Sequence, residues 1–267
     1  MTFQSVSGGE YTDRRSGKYP GYIGAKKMRQ RIRRFTTLIT LLSFPVVLNY
    51  FSPYLPVHGA AQGIITGSLI FFLFLFAISL VLGRAFCGWV CPGAGLQDTL
   101  AKIREKPVKK GNSIKFLIWV PWISAIIILL AVSGKAPSVH PLYFMKSFVS
   151  VDRPIQYITY YSVITLIIMP GLIAGKRSFC HHICWMAPWM MVGGKIRDLV
   201  KIPSLGLSVE SSACTSCGRC DRACPMCLDV QKMALAGSMR NGECVLCGEC
   251  ADTCPKKVIR YGFGRPI

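Results

Sequence analysis

The chain has 267 residues, 51% of them hydrophobic and 16% charged, and its 32 Lys and Arg outweigh 12 Asp and Glu to give a formal charge of +20. A mean hydropathy of +0.40 excludes a purely soluble cysteine-rich module and demands bilayer-spanning segments. The basic excess flanks the apolar segments instead of forming one basic domain, which points to anionic lipid and not to nucleic acid as its partner.

Residues 1–35 form a basic arm with nine Lys and Arg. Within it, Arg33-Arg34-Phe35 partly resembles a twin-arginine signal, but no small-x-small cleavage site follows, so an uncleaved anchor is expected. Four windows then lack Asp, Glu, Lys and Arg: Thr36–Tyr54, Gly63–Gly83, Phe116–Ser133 and Tyr157–Gly175. Each has about the ~20 residues that cross a hydrocarbon core as a helix, which predicts a four-helix membrane domain over residues 36–203. Pro45, Pro121 and Pro170 are expected to kink these helices, which membrane helices tolerate. With no ionisable group inside the windows, the chain is not equipped to pump ions or protons by itself.

The connection Leu55–Gln62 has no Lys or Arg, whereas Arg84–Lys115 has seven and the segment from Lys176 onward has thirteen. The remaining three, Lys135, Lys146 and Arg153, lie between the third and fourth windows. This asymmetry places both termini and the second connection in the cytoplasm of a multi-pass inner-membrane protein.

An offset of 93 residues aligns Arg84-x-Phe86-Cys87-x3-Cys91 with Arg177-x-Phe179-Cys180-x3-Cys184, and Lys102-Ile103-Arg104 with Lys195-Ile196-Arg197. The expected architecture is therefore two tandem two-helix repeats of the same orientation. Cys-x3-Cys is an i, i+4 spacing that puts both sulfurs on one side of a helical turn. Cys87, Cys91, Cys180 and Cys184 are expected to meet at the repeat axis. There they either hold a third metal or iron–sulfur centre or act as redox thiols, and packing of small apolar side chains is the remaining reading. His181 and His182 lie beside the second pair, where they are either ordinary interfacial histidines or nitrogen ligands. Trp185 and Trp189 suit core or interface anchoring, and Tyr157, Tyr160 and Tyr161 an outer aromatic girdle. On the outer side, His58, His140, Tyr143 and Arg153 are either solvated loop residues or acceptors for the protons that quinol oxidation releases.

Near the C-terminus, Cys214-x2-Cys217-x2-Cys220-x3-Cys224-Pro is repeated as Cys244-x2-Cys247-x2-Cys250-x3-Cys254-Pro. This is the spacing of bacterial two-cluster ferredoxins, in which the fourth Cys of each run ligates the other cluster. Cys214, Cys217, Cys220 and Cys254 are assigned to one [4Fe–4S] cluster, and Cys244, Cys247, Cys250 and Cys224 to a second. Eight thiolates exceed the needs of one tetrahedral zinc, and a cytoplasmic location disfavours structural disulfides. Gly218 and Gly248 let backbone N–H groups come close to the cluster sulfurs. Cys227 falls outside the eight-cysteine rule and reads as a shielding or spare thiol. The fold class is thus mainly α membrane protein, with an α+β ferredoxin-like two-cluster domain over residues 204–267.

Four apolar windows, paired Cys-x3-Cys motifs and a double-cluster tail together resemble the NapH-type membrane ferredoxin family, related to the membrane cores of NosR and CcoG, over about residues 36–265. Cys87-Gly88-Trp89-Val90-Cys91-Pro92 is similar to that family's first Cys-x3-Cys-Pro motif. In the second copy Cys184 is followed by Trp185, and the nearest proline is Pro188. The outer connections leave no room for a flavin-bearing domain of the NosR kind. The resemblance implies the membrane component of a quinol dehydrogenase, passing electrons between the quinone pool and a cytoplasmic redox protein or reductase complex. The alternative is an assembly or metal-handling factor that uses the membrane-proximal thiols as transient ligands.

Overall fold

The computed structural model describes residues 24–108, 112–134, 138–145, 149–151 and 154–264. Arg153, Lys135, Lys146 and most of the basic arm lie outside the described residues. The first apolar window is not one straight helix: α1 (Gly24–Leu42) and α2 (Phe44–Phe51) meet at an 83° bend. Pro45 lies in the first turn of α2, where its missing N–H and its ring break the α1 ladder but suit a new helix start.

Beyond the bend come α3 (Tyr54–Ala61), β1 (Ile64–Thr66) and α4 (Gly67–Leu82). The second window therefore begins as a strand, leaving a helix of 16 residues, or roughly 24 Å at 1.5 Å per residue. It is followed by α5 (Ala85–Trp89), α6 (Pro92–Leu100), α7 (Ile114–Val132) and β2 (Ser138–His140), which pairs in parallel with β1. The second half repeats the series with α8 (Pro154–Ala174), α9 (Ser178–His182) and α10 (Ala187–Val200). Among the described residues, α7 and α8 are long and apolar enough to cross a membrane, and the bent α1–α2 pair makes a third span if counted as one. Only 11% of the 18-residue apolar stretch of α7, and 11% of that of α8, is buried. Leu117, Ile127, Ile128 and Val132 of α7 and Ile158 and Ile173 of α8 face outward, as suits helices solvated by lipid.

The halves pack reciprocally. α10, which follows the second cysteine pair, lies along α4, and α6, which follows the first, lies along α8. Each half thus closes over the apolar helix of the other, and the core at their junction holds Phe72, Leu75, Cys87, Cys91, Ile167, Phe179, Cys184 and Met190. Trp189 belongs to this core, edge-on to Trp119 and Trp122.

The tail adds β3 (Ser204–Val209), α11 (Arg219–Ala223), α12 (Val230–Leu235), α13 (Glu249–Thr253) and β4 (Ile259–Gly264). β3 and β4 pair antiparallel, with Val209 opposite Ile259, and bracket both cysteine runs. Gly218 and Gly248 immediately precede α11 and α13 with φ of 65° and 76°, a left-handed conformation that glycine adopts without steric cost.

Buried charge docks this tail on the membrane half. Asp98 accepts hydrogen bonds from Arg33 at 2.7 Å and from Arg177 at 2.6 and 2.8 Å, and Arg33 also reaches Glu249 at 3.0 Å. Glu243 accepts from Arg84 at 2.8 Å and from Lys115 at 2.6 and 2.7 Å. Arg29 and Gln30 of α1 hold Asp252 at 3.0 and 2.6 Å. Burial alone would push the Asp98 carboxyl up, but the adjoining Arg177 and Arg33 guanidinium groups hold it below its ordinary value. Its stabilisation is therefore complete above that ordinary value and is lost as pH falls through the lower folded one.

Asp98→Asn leaves two guanidinium groups buried without a full counter-charge, so it is expected to lower the unfolding free energy in detergent by about 3–5 kcal/mol; an unchanged unfolding curve would contradict its role in holding Arg33 and Arg177. A Cβ at Gly88 would overlap the Val245 carbonyl oxygen. Gly88→Ala is accordingly expected to lift the tail, at a cost of about 1–3 kcal/mol, and to speed hydrogen exchange over residues 243–252. Exchange equal to that of the parent protein would count against the contact.

Candidate iron–sulfur sites

Twelve of the thirteen cysteines line three cavities, four to each. Cys87, Cys91, Cys180 and Cys184 line a cavity of about 80 Å³ between the halves. Cys224, Cys244, Cys247 and Cys250 line a second of about 20 Å³. Cys214, Cys217, Cys220 and Cys254 line a third of about 20 Å³. In the tail, the sequence-assigned sets are therefore the sets brought together, with Cys224 and Cys254 each crossing to the other run's cavity. Cys227 lines none of the three.

The local backbone explains how each membrane-proximal pair is presented. In both copies a five-residue helix carries the first cysteine, and the amide of the second donates to the carbonyl of the residue five earlier: Cys91 to Phe86 and Cys184 to Phe179, each at 3.0 Å. The expected regular i, i+4 turn is thus corrected to a short helix that breaks before the second thiol. Cys91 becomes the N-cap of α6. The next helix carries a proline in its first turn in both copies, Pro92 as the first residue of α6 and Pro188 as the second of α10, so the displaced second proline still sits at a helix start. Backbone N–H groups of these helix starts face the thiols, Ala94 toward Cys91 and Met186 and Ala187 toward Cys184, a disposition that favours sulfur in its anionic form.

His181 does not face the cavity. It is buried, its Nδ1 lies against the Asn112 side-chain oxygen, and burial pulls its pKa down to about 4. Between α3 and the loop after β2, His58 Nδ1 is 3.0 Å from the Tyr143 hydroxyl, which donates to Gln62 at 2.7 Å. His140 is exposed in β2.

The membrane-proximal and second tail cavities share Val245 as wall. Trp89, between Cys87 and Cys91, donates to the Leu246 carbonyl at 2.9 Å, and Gly88 lies flush on Val245. The second and third cavities meet across a common packed cluster containing Val230, Ala234, Cys250 and Cys254. Arg84, Lys115, Glu243, Asp98 and Met190 were missed as site residues by sequence reasoning. The Arg84–Arg177 match within the repeat is visible in the sequence, but nothing there shows that the two are buried or pairs them with Glu243 and Asp98.

The donor chemistry fits iron–sulfur clusters. The second tail cavity is walled by cysteines, methionines and apolar residues, a dry, soft-ligand surround. Burial pushes the thiols of Cys180 and Cys247 up to about 12, so these sites do not stabilise bare thiolates; coordination to iron removes the proton and supplies the missing charge. Among the described residues, no three His, Cys, Asp or Glu side chains converge closely enough to hold a single metal ion. The thiols ring cavities instead.

Residues 64–111 and 156–202 both match the family described as a 4Fe-4S binding domain, and residues 213–259 match a 4Fe-4S dicluster domain. The two copies of the first match each contain one Cys-x3-Cys pair. Among curated proteins, the chain is 24% identical over 194 residues to the putative electron transport protein YccM of Escherichia coli K12, covering 67% of this chain and 52% of that one. It is 26% identical over 177 residues to the methylamine utilization ferredoxin-type protein MauN of Methylorubrum extorquens, covering 62% and 58%. An uncharacterized protein of Methanocaldococcus jannaschii is 22% identical over 209 residues, 74% of either chain. The match thus spans little more than half the length of YccM and MauN. No solved structure matches the chain. The protein carries 4Fe–4S binding domains and is distantly related to the YccM and MauN ferredoxin-type proteins.

Proposed function

We propose that this protein is a membrane-bound electron carrier that passes electrons between the quinone pool and a cytoplasmic redox partner. In this reading Cys214, Cys217, Cys220 and Cys254 hold one [4Fe–4S] cluster, Cys224, Cys244, Cys247 and Cys250 a second, and Cys87, Cys91, Cys180 and Cys184 a third iron–sulfur centre. The observation that carries it is the sorting of twelve cysteines into three four-thiol cavities that adjoin one another. A bound cubane supplies a one-electron couple tuned by charge, hydrogen bonding and exposure.

The chain's own residues give the row a direction of access. Phe44, Leu48, Phe51, Val163 and Ile167 wall the membrane-proximal cavity, an apolar surround suited to a quinone approaching from the bilayer. At the other end Cys217 is exposed, which opens the last site to a soluble partner. Val245 and Met226 are buried in the packing between these ends and keep water from the interior sites. Four membrane crossings in two repeats, with the tail and both termini cytoplasmic, complete the proposal. It is supported by the bias of Lys and Arg toward one side and by the paired 4Fe-4S matches.

Anaerobically purified protein is expected to contain three cubanes' worth of iron and sulfide. Cys217→Ser should lose one, and the double variant Cys87→Ser, Cys180→Ser another, with membrane insertion retained. A Cys217→Ser protein with undiminished iron would overturn the tail assignment. A reduced quinol analogue should reduce the tail clusters of the parent protein but not of the double variant; metal that instead exchanges freely from the membrane-proximal thiols would favour the assembly-factor reading.

A further inference from the structure

The two repeat arginines are not equivalent. Arg177 is anchored within the membrane half by Asp98, whereas Arg84 lines the four-thiol cavity and reaches out of it to the tail, through Glu243 at 2.8 Å and the Gly242 carbonyl at 3.1 Å. Glu243 is the residue immediately before Cys244. Arg84 is only 4% exposed, and its buried Nε has no hydrogen-bond partner among the described residues. An orphaned N–H in a closed interior is costly unless an acceptor is supplied. With Lys115 also on Glu243, this corner holds two cations against one carboxylate, a local excess of positive charge facing a cavity whose other polar lining is mostly thiol.

From this arrangement we infer that Arg84 is the potential-setting residue of the membrane-proximal centre: its Nε–H donates to a sulfur of the group held by Cys87, Cys91, Cys180 and Cys184, while Glu243 holds the guanidinium in place and tempers its charge. The inference rests on the reading that these four thiols hold an iron–sulfur centre. A cation and a hydrogen bond at sulfur both favour the reduced, more negative state and so raise the potential. Removing the carboxylate that offsets the cation raises it further. Because Glu243 adjoins Cys244, the same pair ties the potential of the membrane-proximal centre to the docking of the tail.

The test is a redox titration followed by electron paramagnetic resonance on the full-length protein in detergent, with the membrane-proximal signal identified by its loss in Cys180→Ser. Arg84→Gln should lower the midpoint of that signal by at least a tenfold change in the reduction equilibrium, about 59 mV for a one-electron couple, while the signal of the cluster at Cys214 stays in place as internal reference. Glu243→Gln should move the midpoint in the opposite direction. Arg84→Lys, which keeps the charge but loses the Nε donor, should fall between Arg84→Gln and the parent. Opposite signs are the discriminating feature, since mere loosening of the structure would shift both variants the same way. Unmoved midpoints, shifts of one sign, or loss of the centre in both Arg84 variants with intact tail clusters would overturn the inference. Absence of the membrane-proximal signal from the parent protein would instead refute the underlying reading, before any variant is compared.

Discussion

Two carboxylates, Asp98 and Glu243, organise the buried cations where the membrane half meets the tail: Glu243 bridges the two directly, and Asp98 holds Arg33, which reaches Glu249 of the tail. Each binds two cations contributed by distant parts of the chain: Arg33 and Arg177 for Asp98, Arg84 and Lys115 for Glu243. Four basic groups could not be withdrawn from water at this junction without them. In a chain with only 12 acidic residues, committing Glu243 to Arg84 fixes the register between the Cys87–Cys91 turn and the second cysteine run. That register brings Gly88 and Trp89 onto Val245 and Leu246, and it makes Val245 a shared wall of two thiol-lined cavities.

The same junction reconciles the protein's charge with its chemistry. Most of the basic excess flanks the apolar helices, but a small part is buried beside the thiols, where it opposes the negative charge that cysteine-ligated clusters bring. Helix starts at α6 and α10 add N–H groups aimed at Cys91 and Cys184. Free thiols in these pockets are held protonated by burial, as at Cys180 and Cys247. The surroundings are thus suited to metal-bound sulfur and poorly suited to thiolates alone.

Much of this was legible in the sequence because cysteine spacing is a local signal. The tail runs fixed which four thiols share each cavity, including the exchange of Cys224 and Cys254, since a loop with a thiolate every third residue leaves few ways to close. The internal repeat also announced that Cys87, Cys91, Cys180 and Cys184 would converge. Hydropathy was a blunter guide. It counts apolar residues without registering the bend that Pro45 permits between α1 and α2, or the pairing of Ile64–Thr66 with Ser138–His140, so two of the four windows differ from straight spanning helices. The partners of the repeat arginines were invisible because Arg84 and Glu243 lie 159 residues apart, and no local pattern encodes such a pairing. His181 shows the limit of adjacency in sequence: cysteines flank it along the chain, but its side chain lies against Asn112.

The central claim is that docking through Glu243 sets the four-thiol cavity of the membrane half wall to wall with the nearer tail cavity, so that the centres proposed for them lie side by side. Fully reduced protein examined by electron paramagnetic resonance tests it directly. Magnetic interaction between those two centres, visible as splitting or broadening that disappears when Cys87 and Cys180 are both replaced by Ser, is the predicted result. A spectrum equal to the sum of independent clusters, unchanged by that replacement, would contradict it.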